Sequence, residues 1–387
     1  MEDLSRELKE LLLELGVICI GKGVQKTPNY TLYHFNLVDI NQFNQIEKKA
    51  KFISAYLHKD ITVKKSDIGH FALAVPNEKT NIVNFYDNDF NILFGKDKTK
   101  NEIFVGVDDN GKPITINIEQ MPHILVSGCT GSGKSVAING IICSLLRNSK
   151  PNDIEFVMID TKRVELSPYR KLKGNAYCDV STTFQEAIES LDDVCEQIEL
   201  RYKLMEEHGL RKLPNNFSRI VVVIEELGDL MAVSQKAVEK YIIKIAQLGR
   251  ACGVHLVIAT QRPSSKVVTG EIKANIACRL ALQTTSMLES RIILDHNGAE
   301  ALRGKGDAIL KLPTSSTEIH LQCPMITDEQ ILKTIENYIG DWLCEKWHKK
   351  QSIKFGNSTQ MVHYIPKLWN TLTTNIITQK SRKLYLN

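Results

Sequence analysis

The sequence predicts an α/β protein in which a mostly parallel sheet flanked by helices follows a small α+β domain. Three observations lead to this prediction. From residue 121 onward, apolar β-branched runs alternate with segments of helical periodicity, which is typical of a parallel sheet. One run leads into a glycine-rich turn, and several others end in polar residues. The chain has 387 residues, which is enough for two or three domains with a substantial core.

Residues 1–90 form the predicted small α+β domain. Leucines recur at helical spacing between Leu4 and Leu15, and residues 41–58 are a second helix candidate. Short apolar or alternating runs predict strands at 17–21, 30–35, 61–63 and 70–76. No catalytic signature falls in this domain, so the candidates for chemistry lie further along the chain.

Residues 91–120 are predicted to be a β lead-in or linker, with a hairpin turn at Asp109-Asn110-Gly111-Lys112 between two apolar strands. The α/β pattern occupies residues 121–344. Its predicted strands lie near 123–127, 155–160, 219–226, 255–261, 277–283 and 306–311, and its longer helices near 135–146, 182–208 and 235–252. Residues 345–387 form a basic C-terminal tail, in which no acidic residue follows Glu345.

The glycine-rich turn has the sequence Gly128-Cys129-Thr130-Gly131-Ser132-Gly133-Lys134-Ser135, which fits the phosphate-cradling pattern G-x-x-x-x-G-K-[ST]. A strand-like run precedes it and an amphipathic helix follows it, as this P-loop motif requires. Its glycines let backbone N–H groups turn toward phosphate oxygens, and the helix adds its positive N-terminal end. We expect Lys134 to reach the β- and γ-phosphates of ATP and the Ser135 hydroxyl to ligate Mg²⁺.

Four predicted strands end in polar residues, namely Ser127, Asp160, Glu225-Glu226 and Thr260-Gln261. Ligands of an open parallel sheet bind outside the carboxyl ends of its strands. Glu225 would hold Mg²⁺ and Glu226 would orient or deprotonate the attacking water, because adjacent strand residues point to opposite faces. Aspartate is usual at the first position, so Glu225 is one methylene longer than expected. The alternative is a pair of solvated acids at a strand end.

Two further residues each allow two interpretations. Gln261 fits a sensor position whose side-chain amide contacts the γ-phosphate or the lytic water, or it belongs to a simple turn before Pro263. Arg250 is either an arginine finger that reaches a neighbouring subunit's ATP or an exposed arginine favourable to a helix C-terminus.

The bulk properties exclude several classes of protein. With 43% hydrophobic and 24% charged residues the composition is that of a globular protein, and a net charge of +4 does not by itself imply nucleic acid. Nine cysteines contain no C-x-x-C pair, so reduced thiols are expected and zinc is not. The N-terminus lacks an export signal, and no apolar run approaches the ~20 residues of a membrane span. We therefore expect a cytoplasmic protein without a transmembrane segment of its own.

These residues together resemble the FtsK/SpoIIIE family of DNA translocase motors. The matching segments are 121–126 before the P-loop, Ile159-Asp160-Thr161-Lys162, Arg201-Tyr202-Lys203-Leu204-Met205, Glu226-Leu227-Gly228-Asp229-Leu230-Met231, Arg250-Ala251-Cys252-Gly253, Ala259-Thr260-Gln261-Arg262-Pro263, 269–276, 290–295 and Gly304-Lys305-Gly306-Asp307. The resemblance covers about 120–325, and extends more weakly back to about residue 15 through Gly95-Lys96-Asp97.

The resemblance implies a RecA-like ATPase core that forms a ring, a hexamer in this family, around double-stranded DNA. ATP hydrolysis would be converted into movement along the duplex. By motif position Lys134 and Ser135 match the nucleotide and magnesium contacts, Glu225 the Walker B carboxylate and Glu226 the catalytic acid. Gln261 matches the sensor, and Arg250 the arginine that acts on a neighbouring subunit.

Three departures from the family's cell-division members indicate a motor of a plasmid, phage or integrative element. The chain lacks their transmembrane helices and their C-terminal winged-helix domain, and its segment 209–219 is shorter. The leading hypothesis is an ATP-dependent double-stranded DNA translocase serving DNA transfer or segregation of a mobile element. One alternative is a conjugative coupling ATPase that docks a DNA–protein substrate to a membrane channel. Another is a nucleotide-dependent DNA-binding switch with little turnover.

Binding to DNA phosphates would require exposed cations. The candidates are Lys266, Lys273, Arg279, Arg303 and Lys305, with Arg201 and Lys203 as further ones. The basic tail could grip DNA, contact a relaxase or a membrane partner that recruits the motor, or remain a solvated tail.

Overall fold

The computed structural model describes residues 2–65, 69–78, 81–87, 101–150, 153–172, 178–215, 217–315 and 318–354. Contacts group residues 1–342 into one compact unit and residues 343–387 into a second. The Gly95-Lys96-Asp97 segment and residues 355–387 of the basic tail lie outside the described residues. No helix of the described part of the chain is both long enough and apolar enough to cross a lipid bilayer.

The N-terminal part of the chain forms a four-stranded antiparallel sheet with the strand order β1-β2-β4-β3. Its strands are β1 (Cys19–Lys26), β2 (Tyr30–Leu37), β3 (Thr62–Lys65) and β4 (His70–Pro76). Helices α1 (Glu2–Glu14) and α2 (Ile46–Leu57) contribute Leu8, Leu12 and Ile53 to its core, where they pack with Phe35 and Phe71. The small α+β fold predicted from the sequence is therefore confirmed.

The rest of the described chain builds a ten-stranded sheet with the order β6-β5-β14-β13-β12-β7-β11-β10-β8-β9. Its strands are β5 (Glu102–Asp108), β6 (Pro113–Asn117), β7 (His123–Ser127), β8 (Ile154–Ile159), β9 (Cys178–Ser181), β10 (Arg219–Ile224), β11 (Val254–Thr260), β12 (Cys278–Leu282), β13 (Asp307–Lys311) and β14 (Ile319–Gln322). The strands from β12 to β9 pair in parallel, and the pairs from β12 to β6 are antiparallel. The predicted mostly parallel sheet is thus confirmed.

Helices cover both faces of this sheet. They are α3 (Lys134–Asn148), α4 (Phe184–Glu207), α5 (Leu227–Cys252), α6 (Gly270–Asn275), α7 (Met287–Leu294) and α8 (Asp328–Lys354). Ile124 and Val126 of β7 face the core that contains α3, whereas Leu125 between them faces the core that contains α4 and α5. Because alternate residues of β7 face two different cores, both sets must be apolar, and a buried parallel strand therefore appears in the sequence as a continuous apolar run.

Some elements differ from the sequence prediction. Helix α5 begins at Leu227 instead of near 235, because the Glu226 side chain caps its first turn, and Ser234 alone departs from helical geometry within it. The hairpin assigned to the lead-in forms the last two strands of the large sheet, where β5 pairs with β14. Helices α6 and α7 and strands β9 and β14 are too short for a periodicity argument to detect.

A charged cluster joins the small sheet to the large one. The imidazole of His320 on β14 lies between two carboxylates, with Nδ1 2.8 Å from Asp109 Oδ1 and Nε2 2.8 Å from Asp307 Oδ1. Lys64 of β3 contacts Asp109 Oδ2 at 2.9 Å, and Asn29 donates to Asp307 Oδ1 at 3.2 Å. Burial alone would lower the pKa of His320, but the hydrogen bonds and charges of Asp109 and Asp307 outweigh burial and raise it to about 9.

The raised pKa of His320 predicts a pH-dependent free energy of unfolding. The stabilisation that comes from protonated His320 is fully present below the ordinary histidine pKa of about 6.5 and is lost as the pH rises through about 9. We expect stability to fall by at most about 3 kcal/mol over this interval. Urea denaturation between these pH values measures the slope. The His320→Gln variant should remove most of it, and an unchanged slope in that variant would contradict the assignment.

Candidate nucleotide-binding site

Three neighbouring strands bring the predicted site residues other than Arg250 to one edge of the sheet. Strand β11 lies between β7 and β10, with Thr260 opposite Ser127 and Ile258 opposite Ile224. The P-loop after β7, the glutamate pair after β10 and Gln261 after β11 therefore emerge side by side. Helix α3 begins directly at Lys134, so its N-terminus points into the same cleft.

The P-loop backbone is packed so closely that glycine is required at two positions. A Cβ on Gly128 would lie 2.5 Å from Ser132 Oγ, and one on Gly133, whose φ is +99°, would lie 2.6 Å from the backbone nitrogen of Gly306. Gly306 N–H also donates to the Ser132 carbonyl at 2.7 Å. The family-matching segment Gly304-Lys305-Gly306-Asp307, in which Lys305 was a candidate for contacting DNA, therefore packs against the phosphate loop.

The P-loop lysine and the first glutamate form a buried ion pair. Lys134 Nζ lies 2.8 Å from Glu225 Oε1 and donates to the Glu225 carbonyl at 2.9 Å. Only 3% of the Lys134 side chain and 1% of the Glu225 side chain are exposed. The cation expected to bind phosphate is thus held by the carboxylate expected to bind the metal.

Removing one partner of this pair is expected to destabilise the nucleotide-free protein. Lys134→Ala leaves the Glu225 carboxylate buried without its ammonium partner, a change that typically costs about 3–5 kcal/mol. The double variant Lys134→Met with Glu225→Met removes both charges and should recover most of this loss. Urea denaturation without nucleotide tests both variants. A Lys134→Ala variant as stable as the parent would show that the pair does not stabilise the fold.

Glu226 faces away from Glu225 and both of its oxygens accept hydrogen bonds. Oε1 accepts from the Thr260 hydroxyl at 2.8 Å and from Gly228 N–H at 3.2 Å, where it caps α5. Oε2 accepts from Gln261 N–H at 2.9 Å. The carboxylate predicted to act on water is therefore held at the ends of β10 and β11, and must exchange a contact before it can reach a ligand.

Lys162 joins this cluster, although the sequence argument gave it no role. Its Nζ lies 3.7 Å from Glu226 Oε2 and 3.8 Å from Asp229 Oδ2, and the Thr161 hydroxyl donates to Asp229 at 3.2 Å. The sequence contained a signal for this position, because Thr161 and Lys162 are the two residues after Asp160, the carboxylate that directly follows β8. Asp160 itself accepts from the N–H groups of Arg163 and Leu166, so it shapes this turn and does not face the cleft.

A cleft of about 600 Å³ opens beside the P-loop, within the size range of small-molecule sites. The residues that line it include Gln261, Glu165 and every P-loop residue from Cys129 to Ser135 except Ser132. Ile82, Val83, Pro324 and Met325 supply an apolar wall, where Met325 N–H donates to the Val83 carbonyl at 2.7 Å. The cleft thus combines a phosphate cradle with a surface suited to a flat, largely apolar group.

The donors needed for Mg²⁺ are present at this edge of the sheet. Glu225 Oε2 is buried without a hydrogen-bond partner among the described residues, and Ser135 lines the cleft. Hard divalent cations prefer carboxylate and hydroxyl oxygens. These residues therefore fit the metal that the P-loop motif implies.

Arg250 lies at the opposite edge of the sheet from its own P-loop. It is exposed in the last turn of α5, and a Cβ on the preceding Gly249 would lie 3.4 Å from His123 at the start of β7. Burial and, to a smaller extent, the charge of Arg250 together lower the pKa of His123 to about 4, against an opposing hydrogen bond with the Ala246 backbone. Because β7 spans about 13 Å at about 3.3 Å per residue, Arg250 lies near the beginning of this strand and Lys134 follows its end.

Several cations proposed from the sequence as DNA contacts are engaged within the protein. Arg201 is fully buried, Arg279 is 8% exposed, and Arg279 and Lys273 both pair with Asp295. Arg201 and Arg279 are too buried to contact DNA phosphates in this structure, whereas Lys273, whose side chain is 25% exposed, is still a candidate. Lys203, Lys266, Arg303 and Lys305 are exposed, although Lys305 lines the nucleotide cleft.

Comparison with known proteins agrees with this geometry. The model of the FtsK/SpoIIIE family matches residues 91–218 and 211–265. DNA translocase SftA of Bacillus subtilis (strain 168) is 35% identical over 352 residues, which cover 86% of this chain and 36% of SftA. DNA translocase FtsK of Staphylococcus aureus (strain Mu50 / ATCC 700699) is 37% identical over 354 residues, covering 86% of this chain and 44% of that protein.

The chain belongs to the FtsK/SpoIIIE family. It spans less than half the length of the curated FtsK and SftA relatives described above. Among solved structures, the pCW3 conjugation coupling protein TcpA in its monomer form with ATPγS is 23% identical with a TM-score of 0.60, and the alignment covers 86% of this chain and 98% of that one. This likeness confirms the P-loop ATPase fold of the FtsK/SpoIIIE chain.

Proposed function

We propose that this chain is the motor of an ATP-dependent double-stranded DNA translocase that acts as a homo-oligomeric ring. One observation carries the proposal. In a chain of the FtsK/SpoIIIE family, adjacent strand ends place Lys134 and Gln261 in the lining of a cleft that has a phosphate cradle, and place Glu225 and Glu226 directly behind them. DNA transfer or segregation of a mobile element is the biological process that we assign to it.

ATP would bind with its phosphates in the P-loop and its base against the apolar wall of the cleft. Lys134 would leave Glu225 for the β- and γ-phosphates, and this exchange would free the Glu225 carboxylate. Ser135 and Glu225 would then hold Mg²⁺, which neutralises the charge that develops on the phosphates during transfer. The buried ion pair of the nucleotide-free protein therefore supports an ordered exchange of partners on binding.

Glu226 would accept the proton of the attacking water after exchanging one of its present hydrogen bonds. Its neighbour Gln261, whose N–H already contacts it, would orient the same water or the γ-phosphate. Lys162 lies close enough to compensate the carboxylate charge in the resting state. Arg250 of one subunit would complete the site of the next, since it lies on the opposite side from its own P-loop.

The proposal is tested by ATP hydrolysis of the purified chain with and without linear duplex DNA. We expect strong stimulation by the duplex, abolished in Lys134→Ala, together with displacement of streptavidin from the end of a biotinylated duplex. Stimulated hydrolysis without displacement would favour a coupling ATPase that docks DNA–protein substrates. Tight binding of ATP and DNA without stimulated hydrolysis would overturn the motor and favour a nucleotide-dependent switch.

A further inference from the structure

The last turn of α5, which presents Arg250, has its carbonyl groups bound from several directions. A helix normally leaves its final four carbonyls without partners inside the helix. Here the hydrogen bonds run from Tyr202 Oη to Leu248 O at 3.0 Å, from Leu213 N to Ala251 O at 2.9 Å, from Arg201 Nη1 to Cys252 O at 2.9 Å and from Ile220 N to Gly253 O at 2.9 Å. The carbonyl groups of this turn and of the residue after it are therefore bound by α4 and by the chain on either side of the start of β10, although the Arg250 side chain is exposed.

Two adjacent residues of α4 supply the side-chain contacts on either side of Arg250. The Tyr202 hydroxyl binds the carbonyl two residues before it, and the Arg201 guanidinium binds the carbonyl two residues after it. Arg201 also donates to the Ser218 carbonyl at 3.0 Å, just before β10. One buried guanidinium thus ties together α4, the end of α5 and the start of the glutamate-bearing strand.

Burial of Arg201 needs a physical reason, because a fully buried arginine is rare. Its burial lowers the pKa, and the nearby Glu155 charge opposes this effect. A cation at a helix C-terminus is favoured by the exposed carbonyl dipoles, and a planar guanidinium can bind several carbonyls that an ammonium cannot. The arrangement at the end of α5 uses both properties.

The chain leaving α5 is equally constrained. Gly253 has φ +72°, and a Cβ there would lie 2.7 Å from Cδ of Arg219. The Arg219 side chain is 2% exposed, pairs with Glu119 at 3.0 Å and donates to the Phe217 carbonyl at 2.8 Å. Arg250 therefore projects from a rigid base that α4 and the start of β10 define.

We infer that Arg201 and Tyr202 are positioning residues for Arg250, which they aim at the nucleotide of the neighbouring subunit. This inference rests on the proposed function, in which Arg250 acts across the subunit interface. Neither residue lies near its own P-loop, since the end of α5 and the P-loop occupy opposite edges of the sheet. Their effect on catalysis is therefore exerted on the next subunit's site.

The test uses Tyr202→Phe and Arg201→Lys in the full chain. Removing one hydrogen bond in Tyr202→Phe should lower DNA-stimulated turnover about three- to tenfold, and Arg201→Lys should lower it about tenfold or more. The affinity for a fluorescent ATP analogue should be unchanged in both. Tyr241→Phe is the matched control, because its hydroxyl joins α5 to Asp192 of α4 more than two turns before Arg250.

Mixed assemblies separate positioning from general damage. A subunit with Lys134→Met and Glu225→Met, the double variant expected to keep the fold stable, lacks the phosphate-binding lysine but carries an intact Arg250, so it should restore turnover at the sites of Tyr202→Phe subunits. An Arg250→Ala subunit should not restore turnover at these sites, because it has no arginine to supply. Two results would overturn the inference without touching the proposed function. One is that both kinds of partner subunit restore the turnover of Tyr202→Phe subunits equally. The other is that Tyr202→Phe and Arg201→Lys turn over ATP as fast as the parent. Failure of subunits with Lys134→Met and Glu225→Met to restore Arg250→Ala subunits would overturn the inference together with the proposed action of Arg250 across the interface.

Discussion

Glu226→Gln is expected to lower ATP turnover on the order of 10²–10⁴-fold, the usual contribution of a positioned general base. The amide keeps the size of the side chain, and its oxygen can still accept from Thr260 and from Gly228 N–H, whereas the hydrogen bond from Gln261 N–H is lost. The cap of α5 should therefore persist. The amide cannot take a proton from water at neutral pH. Phosphate release at saturating MgATP and duplex DNA measures the fall, and a fluorescent ATP analogue should bind with its parent affinity.

Asp229→Asn is the matched control for this experiment. Asp229 also carries a carboxylate near Lys162. Unlike Glu226, which is buried after β10, Asp229 lies in the first turn of α5 and is half exposed. Its replacement should change turnover by less than about tenfold, as expected for a group outside the reacting atoms. A similar loss in both variants would indicate that charge near Lys162 matters more than a base at Glu226.

Arg250→Ala is expected to lower turnover about 10³-fold or more, the range measured when an arginine finger is removed. Since Arg250 lies at the far edge of the sheet from its own P-loop, the affinity of each subunit for ATP should be unchanged. Assemblies that mix Arg250→Ala subunits with subunits carrying Lys134→Met and Glu225→Met should regain turnover, because the former supply the nucleotide site and the latter supply the arginine.

The control for this second prediction is Lys244→Ala. Lys244 is a cation of the same helix and pairs with Glu199 of α4 at 2.8 Å, so its loss removes a charge but no finger. Its turnover should stay close to that of the parent. If the Arg250→Ala mixtures stay inactive while the Lys244→Ala protein is active, Arg250 would be a helix-end cation and the action across subunits would be wrong.

The exchange between Lys134 and Glu225 links the stability prediction to these kinetic ones. In the nucleotide-free protein the pair satisfies two buried charges that would otherwise be costly. The longer glutamate at a position where aspartate is usual is compatible with this contact, because its Oε1 reaches the lysine at 2.8 Å. ATP binding would therefore have to replace this ion pair with contacts of comparable strength.

Sequence patterns alone predicted the parts of the site that depend on neighbours along the chain. The P-loop, the carboxylates at the end of β10 and the polar end of β11 each follow a buried apolar run, and local backbone geometry determines them. The small α+β domain and the alternating α/β region followed from periodicity for the same reason. Roles of Glu226, Gln261 and Arg250 remain proposals that the experiments above address.

Contacts between distant segments were decided only by the tertiary structure. The Lys134–Glu225 pair joins residues 91 positions apart, and Gly306 packs on the P-loop from a distant segment in which the sequence suggested only Lys305 as a DNA contact. From the sequence Arg201 could be a solvated charge on a helix, but its guanidinium is buried in the protein and donates to a carbonyl at the end of α5. A side chain's charge is a local property, whereas its burial and partners depend on which strands become neighbours, and strand order is set by packing of the whole sheet.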